Sequence, residues 1–371
     1  MCNPVNLIDA IESKIDKVHT QSLDLSLNEI LDMKVAGELN ISPDYQRLFR
    51  WSEGSQSRFI ESLLLEMPVP PIYVVEEEDS TYVLIDGLQR ISSYLHFRGN
   101  LEADHLDPKI KMGDALTLID CDIVTELNGK SYADLPTALQ IRLKRSFVRV
   151  EVVRKGSNPK FKYHMFKRLN TGGVLLTDQQ MRNCTIRLLD SKFNDFIIEL
   201  AKNSDFKGTT KRLTKDQILG SFDHELVLRF FALKNWRENF VHDVRDFLTE
   251  YMEGVTSGEI EFDYDQNKSD FERTFKILND SMSEKAFGYA NKNKTDVTSS
   301  VGVYQFEAFS VGIQNKLEQL LGINQKDTSI LADRINKIKM DDDFISYTSG
   351  GGKNSKGPLE NRINFVRKNI I

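Results

Sequence analysis

Three cysteines in 371 residues, Cys2, Cys121 and Cys184, are too few and too far apart for a disulfide framework or a metal knuckle. Each reads as a small buried hydrophobe in a reduced compartment. Histidine is equally sparse. His19, His96, His105, His164, His224 and His242 are the full set, so nothing beyond residue 242 supplies an imidazole for metal ligation or general-base work. No apolar run approaches the roughly 20 residues of a membrane span, and the first 18 residues, amphipathic with acidic side chains throughout, resemble neither a signal nor a transit peptide. A cytoplasmic protein is expected. A net charge of −6 excludes a protein that coats nucleic acid with its whole surface. There is no zinc finger, RNP sequence, basic zipper or internal repeat. The Glu12-Ser13-Lys14 match to a nuclease Glu-x-Lys falls on an expected exposed helix and is surface charge.

At 40% apolar and 28% charged residues, a chain of this length supports well-buried cores and more than one domain. The first half mixes element types. Helical periodicity runs over 6–18, 27–39 and 55–67, where Phe59, Ile60, Leu63 and Leu64 form one stripe closed by Met67-Pro68. Pro68-Val69-Pro70-Pro71 forces extended backbone into a strand at 72–75, which should form a hairpin with 82–85; 115–119 and 147–153 are further strands. From residue 158 the pattern is helical, with segments at 222–233, 244–251, 271–282, 304–321 and 330–338. The fold class is α+β, a mixed α/β domain over 1–157 with N-terminal helices and an α-helical bundle over 158–371. Polar stretches at 254–265, 291–300 and 348–357 read as flexible connections, and the triple glycine in the last lacks the spacing of a P-loop.

Val83 to Arg98, VLIDGLQRISSYLHFR, is a short strand that breaks at Asp86-Gly87 and runs directly into an amphipathic helix. Such a turn aims the backbone N–H groups of a helix start, and the Arg90 fork one turn in, at one point where a phosphate can sit. Asp86 at the lip could position a metal ion or water. Two other segments share this character. Ile41 to Trp51 crowds Gln46, Arg47, Arg50 and several aromatics into a stretch held extended by Pro43. Phe166 to Asn183 ends a helix at Asn170, turns through Gly172-Gly173 and starts a new helix with Thr177 as N-cap and Gln180 three residues on.

Taken in order, Pro-x-Tyr-Gln-Arg…Trp, Ile-Glu-Ser-Leu-Leu-Leu-Glu-Met-Pro-Val-Pro-Pro-Ile-Tyr, Ile-Asp-Gly-Leu-Gln-Arg and Phe-Lys-Arg-Leu-Asn-Thr-Gly-Gly resemble the N-terminal domain family of GmrSD-type restriction endonucleases, within the ParB/sulfiredoxin-like superfamily. The resemblance spans roughly residues 25 to 190. It implies a ParB/sulfiredoxin-like α/β domain binding an NTP, with Mg2+ as the candidate metal, in a system that restricts modified foreign DNA. Asp86, Gln89 and Arg90 would be catalytic, and Gln46, Arg47, Arg50, Gly87, Asn170, Thr171 and Gly172 would bind the nucleotide, with Asn170 and Gly172 closing the site from the second domain. Leu88 departs from the family's Asp-Gly-Gln-Gln-Arg by removing one polar group, a loss that binding survives more readily than hydrolysis. The family's C-terminal His-Asn-His nuclease is not legible here, so cutting would fall to a separate nuclease subunit. The alternative is a non-catalytic DNA-binding or interaction module of the same fold. Sulfiredoxin-like redox chemistry needs a cysteine in the turn, and residues 86–90 contain none. Basic stretches at 142–155, at 207–215 with Lys211, Arg212 and Lys215, and in the tail with Lys353 and Lys356 are the candidate DNA contacts. No sequence feature fixes the oligomeric state.

Overall fold

In the computed structural model the described residues are 7–9, 11, 19–41, 49, 51–106, 108–157, 165, 177–187, 189–241, 243–350 and 352–371. They belong to two compact units, 1–175 and 176–371. The boundary expected after residue 157 abuts 158–164, which lie outside the described residues. The fold is α+β, a five-stranded sheet in the first unit and helices in the second.

The strands are β1 (Thr20–Ser26), β2 (Leu39–Asn40), β3 (Ile72–Glu76), β4 (Tyr82–Asp86) and β5 (Phe147–Val153), in spatial order β1-β5-β3-β4-β2. The sheet is mixed. β1 runs antiparallel to β5 and β3 antiparallel to β4, while β3–β5 and β2–β4 are parallel. β3 is central, which is why Ile72, Val74 and Val75 are all buried whereas edge strand β1 is mostly polar and exposed. The expected hairpin is present, closed by the Glu77 N–H donating to the Thr81 carbonyl at 2.9 Å. Among the described residues, α1 (Leu27–Ala36), α2 (Glu53–Leu64), α3 (Leu88–Phe97) and α4 (Thr137–Arg145) accompany the sheet. The sequence period that suggested one helix to residue 39 is cut at Gly37, whose left-handed φ of 80° caps α1 before β2 begins.

Residues 115–119 are not a strand. Leu116 and Leu118 are buried, but their N–H groups donate to the carbonyls of His96 and Lys130 rather than to a sheet neighbour. The alternation that imitates a strand comes from a loop pinned over α2. There the buried Glu61 carboxylate accepts the N–H groups of Ile123 and Val124 at 3.1 and 2.6 Å, and Ser57 Oγ accepts from the Ile119 N–H at 3.0 Å.

In the second unit Thr177 caps α5 (Asp178–Ile186) through the expected capping box with Gln180. The core is rich in phenylalanine, with Phe193, Phe206, Phe230, Phe231, Phe271, Phe275 and Phe306 all fully buried. The helix expected over 304–321 breaks after Gly312 and resumes at Leu317. The polar stretch 254–265 contains the end of one helix and the start of another. A chain of buried charges crosses this core. Arg182 lies 3.6 Å from Glu225, Glu225 and Glu307 both hold Arg229, and Glu307 also pairs with the buried Arg362. Such a chain specifies how the helices fit more than it adds net stability, because desolvation offsets most of the attraction. Among the described residues no helix is long and apolar enough to cross a membrane.

Candidate functional site

β4 ends at Asp86, which pairs across the hairpin with Tyr73 beside a register shift in β3. Gly87 then takes φ 109°, and a β-carbon on it would stand 2.8 Å from Ile72 Cγ1. Both the backbone angle and the neighbouring strand therefore demand glycine. The first intrahelical bond of α3 runs from the Ile91 N–H to the Gly87 carbonyl at 3.0 Å, and no side chain caps the helix start. The turn thus points a helix N-terminus out of the end of the sheet, the geometry that favours an anion.

Arg90 lies against this turn, 14% exposed. Its Nη2 donates both to Asp86 Oδ2 at 2.9 Å and to the Pro71 carbonyl at 3.0 Å, while Nε is buried without a hydrogen-bond partner. Pro68 to Pro71 therefore does more than enter β3: its last carbonyl helps fix the guanidinium. The orphaned Nε is a buried donor with unspent capacity, which an anion at the turn could use.

Gln89 also holds backbone in place. Its Oε1 accepts the Trp51 N–H at 3.1 Å, and the carbonyl of the same Trp51 accepts from Gln56 Nε2 of α2 at 2.8 Å. Because that amide nitrogen is committed to Trp51, Gln56 presents its Oε1 to His96 Nδ1 at 2.8 Å, which assigns the proton to Nδ1. Burial holds the His96 pKa below its usual value, so the ring is neutral at physiological pH. This chain clamps the exit of the 41–51 segment onto α3. The segment's other described anchors, Ile41 and Phe49, are both buried.

Sequence reasoning missed Gln56, His96 and the Trp51 peptide. The signal it could have used is a glutamine and a histidine on the apolar faces of α2 and α3. Leu88 also differs from expectation. It is 4% exposed, so it fills the core rather than facing a ligand, and its polar group is not missing from the open side of the turn.

Asp86, Gly87, Gln89 and Arg90 are thus together. Gln46, Arg47, Arg50, Asn170, Thr171 and Gly172 lie outside the described residues. Lys211, Arg212, Lys215, Lys353 and Lys356 belong to the second unit, where Arg212 pairs with Glu284 at 2.7 Å and Lys356 Nζ donates to the Glu238 carbonyl at 2.8 Å. Among the described residues no group of three or more His, Cys, Asp or Glu side chains could hold a metal ion. Cys121, near α2, has its thiol pushed up to about 11, first by burial and then by Glu61 and Asp122, and is inert as a nucleophile.

Comparison with known proteins agrees with the order of these motifs. Residues 27–187 match the family model described as GmrSD restriction endonuclease, N-terminal domain. Neither the curated proteins nor the solved structures compared with the chain gave a match. The matched span runs from the first residue of α1 through the capped α5, and includes the turn, the Arg90 clamp and the Gln56–Trp51–Gln89 chain. Residues 27–187 of this chain are thus similar to the N-terminal domain of GmrSD restriction endonucleases.

Proposed function

We propose that the Asp86–Arg90 turn binds the phosphates of an NTP, and that the chain is the nucleotide-dependent part of a restriction system whose cutting is done by a separate nuclease. The observation that carries this reading is the buried, unpartnered Arg90 Nε beside an uncapped helix N-terminus. A phosphate there would meet the first-turn N–H groups, gain the arginine donors and be covered by Gln46, Arg47 and Arg50, whose segment Trp51 clamps. Asn170, Thr171 and Gly172 would complete the enclosure. Asp86 shares Arg90 with any incoming anion, so a divalent cation such as Mg2+ between its carboxylate and the phosphates would remove their repulsion. Bound there, the ion would neutralise charge developing during phosphoanhydride cleavage.

A second reading, a binder without turnover, is favoured by one observation: the Asp86 carboxylate is already committed to Arg90. Titration calorimetry with each of the four NTPs, paired with phosphate-release assays, separates the two. Arg90→Ala should weaken binding about tenfold or more, as loss of a charge-assisted contact does. Unchanged affinity in the folded variant removes the site. Binding without phosphate release leaves the binder.

A further inference from the structure

In the first unit a groove of about 840 Å³ opens between the end of α2, helix α4 and the start of β5. Its floor is apolar and open to water: Phe147 is 67% exposed, Ile141 43% and Met67 41%. Its rim is charged. Arg142 faces Glu66 at 3.5 Å and Arg149 faces Asp24 at 3.1 Å, while Arg145 has no ion-pair partner among the described residues. The same unit leaves a second apolar face uncovered. Leu7, Ile8, Asp9 and Ile11 are helical, and Leu7, Ile8 and Ile11 are 60%, 57% and 51% exposed. Spacing of i, i+1, i+4 sets those three side chains on one helical face, and the sequence beside them carries Asp9, Glu12 and Asp16.

We infer that these two faces belong together, and that the groove receives the N-terminal helix of a second copy of this chain. A single chain leaves both faces in water, and exposed apolar patches of this kind mark interaction sites. The charges are complementary, with acids beside the helical stripe and the unpaired Arg145 on the groove rim. A floor of Met67 and Ile141 with the single aromatic Phe147 suits Leu and Ile side chains better than a run of nucleic-acid bases, which stacks on successive aromatic platforms. Each copy offers one helix and one groove, so a two-fold exchange uses both and closes as a dimer instead of propagating.

Sedimentation equilibrium of the full chain across a micromolar dilution series tests this, with Ile8→Asp and Phe147→Asp as disrupting variants. Both positions are exposed, and circular dichroism confirms that the variants fold. A wild-type dimer is expected, with each variant raising the dissociation constant about tenfold or more. Asp9→Arg and Arg145→Glu should each weaken the dimer, and the two combined in one chain should restore it. A chain that is monomeric at every concentration, including one whose helix lies in its own groove, overturns the inference. So does a dimer indifferent to both Ile8→Asp and Phe147→Asp.

Discussion

Leu88→Gln introduces the glutamine of the Asp-Gly-Gln-Gln-Arg pattern that the turn resembles, and the structure reverses what the sequence alone would expect of it. Were residue 88 to face the ligand, the glutamine should raise turnover. Leu88 is instead 4% exposed in the first turn of α3, so the substitution puts an amide into the core. Burying a leucine is worth about 1.5–3 kcal/mol, much of which glutamine forfeits. An unpartnered buried amide costs about 1–3 kcal/mol more. Together they come to at most about 2.5–6 kcal/mol, a large share of the roughly 5–15 kcal/mol that holds a domain together. Urea unfolding should show a markedly lower midpoint, and thermal unfolding a drop of about 10 °C for a unit of this size. Calorimetric titration below that transition should give nucleotide affinity within about twofold of wild type, with no gain in phosphate release. A variant of wild-type stability with raised turnover would mean that residue 88 reaches the ligand, and would refute the assignment of this side chain to the core.

Gly87→Ala should cost about 2–4 kcal/mol, because a left-handed alanine is strained and its β-carbon would meet Ile72 at 2.8 Å; an unchanged urea midpoint contradicts this. His96 is neutral in the fold, with its pKa below the usual 6.5 through burial, so the unfolded chain takes up the proton first. Stability should be constant above about pH 6.5 and fall as pH drops through the folded value, and His96→Gln should flatten that slope in unfolding titrations between pH 8 and pH 5. The purified chain alone should not nick plasmid DNA with any nucleotide and divalent ion, since no histidine follows residue 242 and the described residues hold no metal-ligand cluster. Robust nicking by a contaminant-free preparation would place an unrecognised nuclease site in this chain.

What was legible in the sequence was whatever a local rule enforces. Val83 to Arg98 reads correctly because strand alternation, a glycine with forced φ and helical periodicity each act within a few residues. The Thr177 capping box reads correctly for the same reason. The errors occur where a long-range partner decides. Residues 115–119 alternate like a strand, but Ser57, Lys130 and the carbonyl of His96 take their hydrogen bonds before any sheet can. β1, TQSLDLS, carries only two leucines and is a strand because β5 pairs with it along seven residues. Leu88 could not be placed on the core side by its neighbours alone, because residues at a helix start follow neither the strand period nor a full helical turn.

The candidate site shows the same division at finer scale. Arg90 and Asp86 are four residues apart across the Gly87 turn, one ending β4 and the other in the first turn of α3, so their closeness could be drawn from the short turn between them. The Pro71 carbonyl that shares the guanidinium comes from the residue just before β3, the opposite strand of the hairpin, and only the register of β3 on β4 brings it there. Sequence reading groups Gln89 with Arg90 and Asp86 as catalytic because it neighbours Arg90 in the chain. On α3, however, a step of one residue is a rotation of about 100°, so the two side chains leave the helix on different sides. Arg90 turns to the hairpin and Gln89 to the Trp51 peptide. The Trp51 contact adds a positioning role to whatever Gln89 does in the site, and it separates the two substitutions. Gln89→Ala should weaken nucleotide binding by releasing the 41–51 segment, and Gln56→Ala, acting on the other side of the same peptide, should do so too without touching the turn. If calorimetry finds Gln89→Ala damaging and Gln56→Ala silent, Gln89 meets the ligand directly and the clamp is not its purpose.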